Sequence, residues 1–204
     1  MTGLVFTTPE EADDFLQAVV SMRAEQLSEG DVISVGPAVA SILGVGKIKA
    51  TLNTERLMRE HDLDRILHIG TCMALTDAVD VGTLVGASFV LEGDRVHLNA
   101  PTYPRMPLDC PFETDTTGTV VTQDHDIGDP EDGSYWQRIA DVSDTSGYAV
   151  AYVAAQHGVP CHVAKVVTSQ AGVDRDSFLE DRSAAHARIA SFLQQDVFAD
   201  DAWT

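Results

Sequence analysis

The chain has 204 residues, 44% of them hydrophobic, which is enough for one sizeable core, and a single domain over residues 1–204 is expected. Thirteen Lys and Arg against 32 Asp and Glu give a formal charge of −19, which repels phosphate backbones and anionic bilayers, so neither a nucleic-acid nor a membrane partner is expected. Cys72, Cys110 and Cys161 are an odd number at unrelated spacings, so neither a disulfide scaffold nor a zinc site is expected. There is no basic-then-apolar leader and no apolar run near the roughly 20 residues of a membrane span, and a reducing cytoplasm is the expected compartment.

In chain order, the first expected element is a helix opened by Thr8-Pro9-Glu10-Glu11. Thr can cap, Pro suits the first helical position, and Glu11 stands where a capping box needs it. Phe15, Leu16, Val19, Val20 and Met22 supply its apolar face, up to the stop at Gly30. Residues 32–43 read as strand, broken at Gly36-Pro37, and residues 47–61 as helix. Residues 65–69 read as a short strand buried on both faces that stops at a Gly70-Thr71 turn. Residues 84–91 and 95–98 flank Glu92-Gly93-Asp94 as a hairpin. The stretch 99–115, with Pro101, Pro104, Pro107 and Pro111, reads as a long loop.

Residues 119–122 are a strand candidate, followed by an acidic turn from Asp124 to Pro130. Residues 147–156 are helical, closed by Gly158 and Pro160. Residues 163–168 form the last strand, and Ser177 with Glu180 opens a final helix bearing Phe178, Ala185, Ile189 and Phe192. The alternation of strand and helix predicts an α/β fold, a mixed, largely parallel central sheet flanked by helices.

Three segments carry more than fold class. Ile66-Leu67-His68-Ile69-Gly70-Thr71-Cys72-Met73-Ala74-Leu75 is followed by Asp80-Val81-Gly82-Thr83-Leu84-Val85; Gly44-Val45-Gly46-Lys47-Ile48-Lys49-Ala50 precedes it; and Gly147-Tyr148-Ala149-Val150-Ala151 opens an Ala-rich helix. In this order and spacing they resemble the purine nucleoside phosphorylase and nucleosidase superfamily over most of the chain, above all its methylthioadenosine/S-adenosylhomocysteine nucleosidase branch. The resemblance implies a three-layer nucleoside phosphorylase-like sandwich, a homodimer, a small-molecule nucleoside as partner, and no cofactor or metal. Three adjacent residues in Asp124-His125-Asp126 rarely converge on one ion, which also argues against a metal there.

Cleaving an N-glycosidic bond needs an acid for the leaving base, a grip on the ribose hydroxyls, and an activated water or phosphate. By the resemblance, Gly46, Gly70, Thr71, Cys72 and Met73 contact the sugar and nucleophile, and His125 and Asp126 lie where the family stacks the base. Cys72 reads as a packing residue, with no charge partner beside it to activate a thiolate. Asp144-Thr145-Ser146-Gly147 matches the family pattern Asp-Met-Glu-Gly, so Ser146 stands where a Glu grips the 2′- and 3′-hydroxyls. Serine cannot offer that bidentate carboxylate, and either Asp144 substitutes for it or Asp144 and Ser146 merely cap the helix.

Lys165-Val166-Val167-Thr168-Ser169-Gln170-Ala171 matches the family's last strand, with Ser169 in place of the acid that protonates the purine. A one-residue shift makes Gln170 an amide donor to the base, with Asp174 and Asp176 the nearest carboxylates; these read equally as acids of a loop and a helix start. No segment matches the family's water-activating Glu. The implied function is a nucleosidase-like hydrolase of a purine nucleoside or related N-ribosyl compound. The alternative is a non-catalytic nucleoside-binding or scaffold paralogue that has lost the acids, and a phosphorylase fits less well because its phosphate-binding arginines have no clear counterpart.

Overall fold

The computed structural model describes residues 1–94, 104–125, 127, 130–172 and 175–199, with backbone alone at 130–132 and 175–181. The chain opens with a strand, β1 (Thr2–Phe6), not with a helix. Thr-Gly-Leu-Val-Phe is too short to show a period, yet all five residues are buried, because β1 lies between two parallel neighbours. Helix α1 (Pro9–Val20) follows, shorter than the apolar pattern predicted, and ends at Ser21 in a left-handed conformation. Phe15 and Leu16 are fully buried under it and contribute about 1.5–3 kcal/mol each.

The interrupted strand resolves into β2 (Val32–Val35) and β3 (Ala38–Ile42), an antiparallel hairpin about Gly36-Pro37. Helix α2 (Lys47–Glu60) matches its expected span. Strand β4 (Arg65–Ala74) does not stop at Gly70-Thr71 but runs on to Ala74, because β9 (Cys161–Gln170) supplies partners along the whole length, through a bulge at Cys72/Met73. Ser169 and Gln170 therefore belong to β9.

Strand β5 (Leu84–Glu92) starts the expected hairpin, whose second arm, 95–98, lies outside the described residues. The Pro-rich stretch holds one short strand, β6 (Arg105–Pro107), pairing only with β5 at the sheet's end, where a proline is tolerated. Strand β7 (Thr116–Thr122) is longer than expected; helix α3 (Pro130–Trp136) and strand β8 (Val142–Asp144) were not signalled by any period. Helix α4 (Gly147–His157) closes at Gly158 as expected, and α5 (Arg175–Phe192) starts two residues before Ser177.

Among the described residues, five of the nine strand pairings are parallel and four antiparallel, so the sheet is mixed. The pairings β4–β8, β8–β7, β7–β5, β5–β9 and β9–β4 also close into a ring. Helices cover both faces. Ala50, Leu57 and Met58 of α2 and Ala149 to Ala154 of α4 share one core with Ile66, Val163 and Val167. Phe15 and Leu16 of α1 and Ala185, Ile189 and Phe192 of α5 share the other with Leu67, Ile69, Ala164 and Val166. The alternation along β4 and β9 assigns successive residues to opposite cores.

Candidate active site

That alternation sets up a conflict. Lys165 shares its face of β9 with Val163 and Val167, and His68 shares its face of β4 with Ile66, so two polar side chains point into apolar packing. Both are fully buried. The conflict is resolved where β8 ends. Asp144 Oδ2 lies 2.9 Å from Lys165 Nζ, and each side chain is 1% exposed. Asp144 Oδ1 accepts from the Thr122 hydroxyl at 2.7 Å, and the Gly147 N–H donates to Oδ2 at 2.8 Å. Burial disfavours the charged form of Asp144, but the charge on Lys165 and the Thr122 hydroxyl outweigh it and hold the carboxyl below its ordinary value.

Lys165 Nζ also lies 3.1 Å from His68 Nε2. An ammonium only donates, so Nε2 accepts and the ring proton falls to Nδ1, which is buried without a hydrogen-bond partner among the described residues. Burial, then the charge on Lys165, holds His68 well below its ordinary value against the opposing pull of Asp144. The ring is neutral. Ser146 Oγ lies 3.2 Å from the same Nε2 and 2.9 Å from Thr7 Oγ1, with Thr7 Oγ1 3.4 Å from the ring. Ser146, the first residue past β8 but one, is wholly buried among these groups.

Thr7 leads to the second half of the site. It is the residue after β1, and its N–H donates to Glu11 Oε2 at 2.8 Å; the Thr8 N–H donates to the same oxygen at 3.2 Å. Glu11 Oε1 accepts from the Thr71 N–H at 2.7 Å and the Thr71 hydroxyl at 2.8 Å. The capping-box residue thus crosses to the sheet. It can do so because residue 70 is glycine: a Cβ there would meet Glu11 Oε1 at 2.7 Å. Glu11 is buried while Thr71 keeps partial exposure, so the carboxylate stands just behind a surface that solvent reaches.

The other sequence candidates divide between three places. Met73 is half-buried against Leu75, Leu91, Val121, Ile127, Trp136 and Ala140, and pairs across the bulge with Ser169; Gln170, half-buried, pairs with Ala74. Cys72 is buried, and burial pushes its thiol up, as it pushes Cys161 up to about 12, so neither is a thiolate nucleophile. Thr145 is half-buried in the bend between β8 and α4.

Gly46 and His125 belong to a separate cluster. Gly46 heads α2 at φ +96°, and Asp124 Oδ1 accepts from the Lys47 N–H at 2.8 Å. Lys47 Nζ lies 2.5 Å from both Glu92 and Asp94, and His125 Nδ1 lies 2.8 Å from Asp94. Asp126 and Asp174 lie outside the described residues, as does the side chain of Asp176.

Sequence reasoning missed Glu11, Thr7, His68 and Lys165 as members of one site. Glu11 looked fully used as a cap. The available signal was a lone His in Ile66-Leu67-His68-Ile69 and a lone Lys in Val163-Ala164-Lys165-Val166-Val167, each interrupting an otherwise apolar strand.

Residues 2–117, more than half of the chain, match the phosphorylase superfamily, and the chain belongs to that superfamily. Among solved structures it is similar to Helicobacter pylori 5′-methylthioadenosine/S-adenosyl homocysteine nucleosidase, at TM-score 0.78 and 17% identity over 95% of each chain. It is equally similar to Helicobacter pylori futalosine hydrolase, at 0.78 and 17% over 95% of each. The Colwellia psychrerythraea MTA/SAH nucleosidase in complex with adenine matches at 0.73 and 18%, over 96% of this chain and 95% of the other. No curated protein sequence matches the chain. At these identities the likeness is one of fold.

Removing one partner of the buried pair leaves an uncompensated charge. Lys165→Met is expected to lower unfolding free energy by about 3–5 kcal/mol in urea titrations, and Asp144→Asn in the same background should restore at least half of the loss. A cost under about 1 kcal/mol for Lys165→Met would show that the pair is not sealed from water.

Proposed function

We propose that the chain hydrolyses the N-glycosidic bond of a purine nucleoside or a related N-ribosyl compound. The observation that carries this reading is Glu11, a buried carboxylate held against the partly exposed Thr71 where β1 stops and β4 runs on. The shared fold of nucleosidases, one of them solved with adenine, supports the substrate class.

Four donors fill the lone pairs of Glu11, three of them backbone N–H groups. Only the Thr71 hydroxyl can turn away. A water taking its place lies between Glu11 Oε1 and Thr71 Oγ1, and Glu11 receives its proton as the water oxygen adds to C1′ of the sugar. The C1′–N bond breaks and its electron pair stays on the base nitrogen. Gln170 donates to the base, and Asp174 or Asp176, the nearest carboxylates in sequence, returns a proton to it. Gly70, Met73 and Ser169 border the substrate in this reading.

The homodimer implied by resemblance finds support on α2 and α4. Ile48, Leu52 and Tyr152 are exposed, Ile48 by 75%, on two helices that share one core, with exposed Val45 just before α2, and Tyr148 stacks on Tyr152 at 6.1 Å. In a chain of charge −19, an apolar row of this kind fits burial against a second copy. Light scattering should read twice the chain mass, and Ile48→Glu should return it to one; a single-chain mass for the unaltered protein contradicts the dimer. The three free cysteines fit a cytoplasmic location.

Replacing the proposed base tests the activity directly. Glu11→Gln should lower the rate of base release from purine nucleosides by about 10²–10⁴ with the melting transition retained. An unchanged rate removes Glu11 from the chemistry. Absence of base release by the unaltered protein with every purine nucleoside, despite measurable binding, would favour the non-catalytic reading.

A further inference from the structure

Resting on the nucleosidase reading, we infer that Thr7 and Ser146 act together as a positioning unit for Glu11: the contact between their hydroxyls fixes the turn that aims two backbone N–H groups at the proposed base. The carboxylate is held from two sides. Oε1 takes the N–H and hydroxyl of Thr71 on β4, which pairs with β9 at that level. Oε2 takes the N–H groups of Thr7 and Thr8 at 2.8 and 3.2 Å. These two residues follow β1, whose pairing with β3 ends at Phe6, so their orientation needs another restraint. The Thr7 carbonyl accepts from the Gly44 N–H at 3.0 Å, and the Thr7 hydroxyl lies 2.9 Å from Ser146 Oγ and 3.4 Å from His68 Nε2. The Ser146 contact spans 139 positions of sequence and ties the end of β1 to the start of α4.

Ser146 can serve because other residues cap its helix. It stands at the N-cap of α4, where a serine hydroxyl ordinarily accepts from the first N–H groups of the helix. Here the Gly147 N–H donates to Asp144 Oδ2 at 2.8 Å, and the Tyr148 N–H donates to the Thr122 hydroxyl at 2.8 Å. The Ser146 hydroxyl turns instead to Thr7 and His68, while its carbonyl accepts the Val150 N–H at 3.1 Å and starts the helix ladder. Wholly buried and anchored by α4, it gives the Thr7 side chain a fixed point.

The consequence for the reaction is geometric. A carboxylate that takes a proton from water must stand within hydrogen-bonding reach of it, and a displacement of about 1 Å costs on the order of a hundredfold in rate. With the hydroxyl contact cut, the Thr7 and Thr8 N–H groups swing away from Oε2, Glu11 turns about its remaining contacts with Thr71, and the water loses its acceptor. Both hydroxyls act through Glu11 rather than on the substrate.

The test measures kcat and KM for base release from adenosine, inosine and guanosine, and amide hydrogen exchange by NMR, in the unaltered protein and in Thr7→Val, Thr7→Ser, Ser146→Ala and the Thr7→Val/Ser146→Ala double variant. Thr7→Val and Ser146→Ala should each lower kcat about ten- to a hundredfold with KM changed by less than about twofold. The double variant should lose no more than about threefold beyond the worse single variant, because both remove one contact. Thr7→Ser, which keeps the hydroxyl, should recover most of what Thr7→Val loses. In both hydroxyl-free single variants, exchange at the Thr7 and Thr8 amides should quicken at least about fivefold more than at Val166 inside β9. A raised KM with unchanged kcat makes Ser146 a ligand contact and overturns the inference, as do losses that multiply in the double variant; both leave the nucleosidase reading standing. Unchanged exchange at Thr7 and Thr8 overturns the inference whatever the rates. If the unaltered protein releases no base from any of the three, the nucleosidase reading falls and exchange alone decides whether the hydroxyl pair holds Glu11.

Discussion

The ion pair between Asp144 and Lys165 is the interaction around which the rest of this site is arranged. A lysine in the middle of β9, on a face shared with Val163 and Val167, is tolerable in a packed interior only with a carboxylate within hydrogen-bonding range. Asp144 can serve because β8 ends there, and the turn into α4 gives it the Gly147 N–H as a further donor. The pair draws together strands far apart in sequence: Thr122 of β7 binds the carboxylate and His68 of β4 takes the ammonium. With the ring closed by five strands, the charge pair and its two polar partners tie four of its members together.

From there the polar contacts run outward. His68 leads to Ser146 and Thr7, and the Thr7 backbone leads to Glu11, which reaches Thr71 across the space left by Gly70. The inner end is sealed and the outer end touches solvent. That gradient separates the two halves: a charge pair without exposure specifies which strands meet, while the carboxylate beside the partly exposed Thr71 is the half to which the proposed function assigns a water. The same gradient sets where the motif positions fall. Ser146 is drawn into the sealed half.

The fold was legible in the sequence wherever an element was long or well punctuated. Residues 47–60 and 147–157 have caps, stops and apolar faces, and both helices fall where the pattern places them. The failures have physical causes. β1 is short and buried on both faces, so it shows no alternation; β6 and β8 are three-residue strands held by neighbours rather than by their own composition. β4 runs past Gly70 and β9 past Thr168, later than the sequence pattern alone suggests, because mutual pairing carries both strands on. Of the candidate site, Gly70, Thr71, Asp144 and Ser146 were visible through motif spacing. Glu11 was seen but assigned only to capping, since its second role depends on a strand 60 residues away. His68 and Lys165 were quoted without a role, because pairing a buried charge with its partner is a tertiary fact.

The protonation state of His68 tests this account most directly. If Lys165 donates to Nε2 inside a sealed cluster, ring nitrogen chemical shifts should show one neutral tautomer, with the proton on Nδ1, throughout pH 5 to 8. A ring that titrates to imidazolium with a midpoint near the ordinary value of about 6.5, or that carries its proton on Nε2, would contradict both the buried ion pair and the site built upon it.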